Sequence, residues 1–216
     1  GDFGRVGGIS LGLDSRSTLN IGTGLAIFTA SKTIFDTTLT GNDIYVNGVN
    51  SAGLGELQFL AGGDLYFIGN EPKPTISSGG LSGSAEGSIF IKENISAAGT
   101  ITLTGPISVS ENATITLTAT GAASDIVLNS PVTWDSRELV LAAGRDIVLN
   151  GALNGAANGG GQLSLQYGLS TSNGLRDGRE ARLKIHAPVS LLAGENLTTQ
   201  LGSGADLLTY TVITSL

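Results

Sequence analysis

Four aspartates stand at matching places in the chain: Asp43 in NDIYVNG, Asp64 in GDLYFIG, Asp125 in SDIVLN and Asp146 in RDIVLN. Acid/base catalysis needs two carboxylates, or a carboxylate and a histidine, facing one bond from two sides. The spacing here argues for something else. Asp43 and Asp64 lie twenty-one residues apart, as do Asp125 and Asp146, and each precedes a short apolar-alternating run. An Asp in that position caps a turn by accepting a backbone N–H. His186 is the only histidine and there is no cysteine, which excludes thiolate chemistry. A Ser-His-Asp set would have to be assembled around that one imidazole from distant parts of the chain. There is no GGxGxD array for calcium and no phosphate-binding loop. The expectation is a non-enzyme with no metal site and no cofactor.

The elements that carry these aspartates follow from the flanking pattern. GSIFIKENI, GTITLTGPI, ATITLTATG, ELVLAAG, GQLSLQYG and ARLKIHAPV alternate apolar with small or polar residues. Period-two alternation over five to seven residues marks half-buried strands, and no apolar series holds a helical spacing for three turns. Gly, Asn, Ser and Pro fill the gaps, where bends and positive φ belong. The fold class is all-β. A sandwich would show strands of varied character joined by tight hairpins. Here the strands resemble one another, and twenty-one residues suit one coil of a solenoid, so we expect a right-handed parallel β-helix over residues 1–216. On that reading Ile126 and Leu128 stack inward beneath Ile147 and Leu149, while Val127 and Val148 face out. Asn129 and Asn150 form an amide ladder at the strand end. About ten coils are expected, interrupted by loop excursions at 69–80 (GNEPKPTISSGG) and 168–180 (GLSTSNGLRDGRE).

Composition bounds the partners. The 216 residues carry a net charge of −7, which argues against nucleic acid. No apolar run approaches about 18 residues, so no membrane span is expected. The opening GDFGRVGGIS has no signal-peptide character, and the chain reads as a piece of a longer polypeptide. With 13% charged and 40% hydrophobic residues it can build a core.

LVLAAGRDIVLNGALN resembles the repeat of filamentous-haemagglutinin-like exoproteins, and RLKIHAPVSLLAGENLTTQLGSGADLLTYTVITSL resembles a segment of the high-molecular-weight adhesin branch of that family. The repeat likeness covers about residues 40–165 and the tail likeness about 181–216. The family's Asn-Pro-Asn-Gly secretion motif is missing from this chain. The resemblance therefore implies a passenger segment of a secreted, cell-surface adhesin. Its implied partners are an outer-membrane transporter of the two-partner type during export and a host-cell receptor or glycan. RLKIH at 182–186 is also similar to the Arg-x-Lys of polygalacturonase-like enzymes, but their paired aspartates and Gly-His-Gly have no counterpart here.

Strand parity singles out three rings. Ile44 and Val46, Leu65 and Phe67, and Ile89 and Ile91 face inward, so Tyr45, Tyr66 and Phe90 face out on consecutive coils. They are expected to form an exposed aromatic ladder, which either stabilises neighbouring strands or offers a platform to sugars or a partner protein. Trp134 is expected to cover a bend rather than anchor a ligand. Thr-x-Thr phrases suggest ice binding, yet the outward positions of other coils hold Val, Tyr, Phe and Lys. Sequons at Asn94, Asn112 and Asn196 are possible glycosylation sites. Two functions stay open: an adhesive stalk, and a carbohydrate-binding or polysaccharide-active β-helix module. The two excursions lack ladder partners, so limited proteolysis should cut first within 69–80 and 168–180. First cleavage inside 124–150 would contradict the coil register.

Overall fold

A computed structural model describes residues 9–12, 19–21, 32–46, 55–68, 79–110, 113–156, 159–169, 181–202 and 208–213. Most of both expected excursions, 69–78 and 170–180, and the sequon at Asn112 lie outside the described residues. The described ends of those excursions are already tied to the ladder. Gly79 N–H donates to Gly55 O at 3.0 Å, and Gly168 N–H to Arg145 O at 2.9 Å.

All described elements are strands, and they form three sheets. The first sheet holds β1 (Ile9–Gly12), β3 (Lys32–Asp36), β5 (Glu56–Ala61), β7 (Gly80–Ala85), β10 (Ile101–Thr104), β13 (Ile126–Leu128), β16 (Ile147–Leu149) and β19 (Leu183–Ile185). The second holds β2 (Leu19–Ile21), β4 (Ile44–Val46), β6 (Leu65–Phe67), β8 (Ile89–Ile91), β11 (Ile107–Val109), β14 (Val132–Trp134), β17 (Leu153–Asn154) and β20 (Val189–Ser190). The third runs β9 (Ile95–Ala97), β12 (Thr114–Ala119), β15 (Glu138–Ala143), β18 (Gln162–Tyr167) and β21 (Asn196–Leu201), closed by β22 (Leu208–Ile213). Every pairing is parallel except β21 with β22. The chain is a parallel β-solenoid. Eight strands per long sheet, rather than ten coils, give an axial length of roughly 34 Å.

The repeated phrase behaves as parity requires, with one difference. Ile126 pairs with Ile147 and Leu128 with Leu149, and all four are buried. Asn150 Nδ2 donates to Asn129 Oδ1 at 2.9 Å, completing the amide ladder. The first two copies of the phrase form β4 and β6 of the second sheet, whereas the last two form β13 and β16 of the first. One phrase thus serves two faces, because each copy supplies an Asp cap followed by two inward apolar residues.

The corners explain the glycines. Gly99, Gly121 and Gly144 turn the chain from the third sheet into the first, and a Cβ on any of them would overlap a carbonyl oxygen of the preceding coil. Trp134 departs from its expected place. It lies wholly inside, in register with Val109, and its Nε1–H donates to Gly161 O at 3.3 Å. Gly155 and Gly160 make the room, since a side chain on either would collide with the indole.

Ile147 is wholly buried between Ile126 and Leu183. Ile147→Asp would leave an unpaired charge there and should cost at least ~3 kcal/mol. In a chain of this size that lowers the melting midpoint by about 6–12 °C. A midpoint within a degree or two of wild type by circular dichroism would refute the inward assignment.

Candidate functional site

The ring row is built by register. Tyr45 pairs with Tyr66 and Tyr66 with Phe90 on the outer face of the second sheet. The Tyr45 and Tyr66 rings stack at 4.4 Å with 2° between planes, and Tyr66 and Phe90 at 4.8 Å with 10°. These spacings are close to the strand separation, so the ring planes lie across the solenoid axis. All three rings are half-buried rather than fully exposed, because each covers the faces of the next. The row presents ring edges and hydroxyls outward. Within the described row, the side of Phe90 toward Ser108 carries no further ring.

An acidic ladder runs beside the rings. Asp43 Oδ1 accepts the Asp64 N–H at 2.8 Å, and Asp64 Oδ1 accepts the Ser88 N–H at 2.7 Å. The second oxygens meet the phenols: Tyr66 OH donates to Asp64 Oδ2 at 2.9 Å, and Tyr45 OH to Asp43 Oδ2 at 3.4 Å. Burial, then the bond to Asp64, pushes the Tyr66 phenol well above its ordinary value. Each aspartate therefore ties one coil to the next and fixes the ring two residues on. Ser88 is followed in that row by Pro106, which has no N–H to give. The acidic ladder and the ring row stop together.

The second pair of aspartates does the same work on the first sheet. Asp125 Oδ1 accepts the Asp146 N–H at 3.0 Å, and Asp146 Oδ1 the Arg182 N–H at 2.9 Å. Here cations complete the sites. Arg145 forks onto Asp125 with Nε–H at 2.8 Å and Nη2–H at 2.5 Å, and Lys184 Nζ reaches Asp146 at 2.8 Å. Burial alone would raise the Asp125 carboxyl, but the Arg145 fork and the Asp146 N–H outweigh it and hold the group below its usual range. All four aspartates are turn caps. His186 stands exposed just past β19, and its backbone N–H donates to Leu149 O at 2.9 Å. Lys184 of the same RLKIH phrase is committed to Asp146.

Among the sequons, Asn94 is exposed and its Oδ1 accepts the Thr116 N–H at 2.9 Å from the next coil. Asn196 opens β21 and is half-buried. The Thr-x-Thr outward rows do not persist: Thr116 and Thr118 are followed one coil on by Val140 and Ala142.

A surface groove of about 420 Å³ opens on the first sheet beside Glu56, Gly80, Ser82 and Thr102. The trace of it in the sequence is GLSGSA, a strand whose outward residues are all small. Comparison of the chain with protein-family models, curated proteins and solved structures finds no match.

Because the folded Asp125 pKa is lowered, its stabilisation is complete above the unfolded value of about 4 and disappears as pH falls through the folded value. Wild type should therefore exceed Asp125→Asn in stability at neutral pH, with the gap closing on acidification below pH ~4. Urea melts across that range check it, and a gap independent of pH would rule out the charged pairing.

Proposed function

We propose that this chain is a non-catalytic segment of a large secreted bacterial surface adhesin. It serves as a rigid β-helical stalk and contributes to attachment to a host-cell receptor or glycan. The observation that carries this reading is axial continuity. Eight strands stack in register along each of two sheets, and aspartate, asparagine and ring ladders cross the coils on their outer sides. Such a stack resists bending and projects whatever it bears. The likeness of LVLAAGRDIVLNGALN and the tail to filamentous-haemagglutinin-like exoproteins supports the same conclusion. On this reading a two-partner outer-membrane transporter exports the chain to the cell surface. A locus with no such transporter gene beside a long, cysteine-poor reading frame would overturn the assignment.

The attachment strip is Tyr45, Tyr66 and Phe90. Its contiguous ring edges suit a partner lying across the row, with the phenols already oriented by Asp43 and Asp64. Replacing all three with Ser removes two ring stacks, a loss of about 1–3 kcal/mol that the core absorbs. Adhesion of the folded triple variant to epithelial monolayers should fall to background. Unchanged adhesion would remove the strip and leave a pure spacer. The alternative, a carbohydrate-binding β-helix module, is favoured by the groove at Glu56.

A further inference from the structure

The groove is a gap in an otherwise continuous outer row. Lys32, Glu56 and Gly80 follow one another in register, and the row continues to Thr100, whose carbonyl accepts the Leu81 N–H at 2.9 Å. Gly80 supplies no side chain. Between Glu56 and Thr100, two strand spacings or roughly 9.6 Å apart, the row therefore lacks one side chain, and the Glu56 side chain leans toward the gap to meet Ser82. The adjoining row holds Ser82 and Thr102 there, so the floor stays low. At about 420 Å³ the space falls in the range of small-ligand sites, ~300–1,000 Å³.

Its polar groups are arranged for hydroxyls. Ser82 Oγ–H donates to Glu56 Oε1 at 3.0 Å, and Lys32 Nζ approaches the same oxygen at 3.4 Å. That leaves Glu56 Oε2 with no bond from the described residues. Thr100 Oγ1 accepts the Asp125 N–H at 3.1 Å and keeps its own proton for a ligand. Thr102 Oγ1 has no partner among the described residues. Lys32 balances Glu56, so the groove attracts neither an anionic sugar nor a cation.

We propose that this groove is a binding subsite for one neutral hexopyranose ring. Glu56 Oε2 accepts from the sugar hydroxyls, Thr100 and Thr102 bond the opposite edge, and the Gly80 backbone lets the ring sit close to the sheet. The inference rests on the carbohydrate-binding reading and names its site and ligand class. The stalk and the ring strip stand apart from it.

The test uses the whole chain and saturation-transfer NMR with the methyl α- and β-glycosides of glucose, galactose and mannose, with N-acetylneuraminic acid as the anionic comparator. At least one neutral glycoside should show transfer. Gly80→Val fills the gap, and its Cβ is accommodated at ordinary contact distance, 3.4 Å from Thr100 O and 3.7 Å from Glu56 Cγ. It should abolish the signal while circular dichroism stays native. Glu56→Gln should weaken binding about tenfold, the loss of a charge-assisted hydrogen bond. The same change at Glu138, on the third sheet, should leave binding unaltered. The subsite is overturned if no neutral glycoside shows transfer, if N-acetylneuraminic acid is preferred, or if folded Gly80→Val binds like wild type. Should Gly80→Val not fold, undiminished binding by Glu56→Gln overturns it. A negative outcome here leaves the adhesion result for the ring strip unaffected, so the two readings fail separately.

Discussion

In-register parallel pairing along the axis governs this molecule, because it makes each residue the neighbour of its own counterpart one coil away. Apolar residues profit directly, as the inward aliphatic ladders do. Charged residues do not, since like charges would face each other at the strand spacing. The chain resolves that conflict in two ways. Asp125 and Asp146 are each joined by a cation from a later coil, Arg145 and Lys184. Asp43 and Asp64 have no such cation among the described residues and instead spend one oxygen on a backbone N–H and the other on a phenol. Burial first, and then the bond to Asp64, push the Tyr66 phenol upward, in keeping with its role as the donor to that carboxylate.

The same constraint explains where ladders end. An aspartate cap needs an N–H one coil on, and Pro106 cannot provide it. From that coil onward the row beside the second sheet runs through Pro131, Ala152 and Pro188, three of its four residues from Pro106 on being proline, and the outward positions shrink to Ser108, Thr133, Asn154 and Ser190. Rings, phenols and carboxylates thus form one unit confined to three coils.

Much of this was legible because parity is local. Two inward aliphatics flanking one outward residue, as in Ile-Val-Leu at 126–128 and 147–149, determine burial without knowledge of the third dimension. The stacking of Tyr45, Tyr66 and Phe90 followed from the same counting. What escaped were properties that depend on how coils close. The phrase beginning Asp-Ile is used on two different sheets, which spacing alone does not distinguish. Trp134 reads as covering a bend, but Gly155 and Gly160, just past β17 one coil on, vacate the interior for it. The groove escaped for the opposite reason: Gly80 looks like loop glycine in sequence, yet it begins a strand.

Specific recognition on such a surface has to come from breaks in repetition. A perfectly periodic row offers a ligand equivalent registers every ~4.8 Å, so it can hold a partner without fixing its position. The interior of this solenoid is nearly uniform, and its outer rows repeat wherever the ladders run. The described outward residues change at several coil steps, as where Thr116 and Thr118 meet Val140 and Ala142, and two of those breaks border a ring row or a groove. At Phe90 a ring row gives way to Ser108, and at Gly80 a charged row loses one side chain between Glu56 and Thr100. The first break bounds an amphipathic strip, which suits an extended partner lying across several coils. The second leaves an open groove between Glu56 and Thr100, the place of the proposed sugar subsite. Periodicity supplies the ladders, and the two proposed contact sites both lie where a ladder is broken.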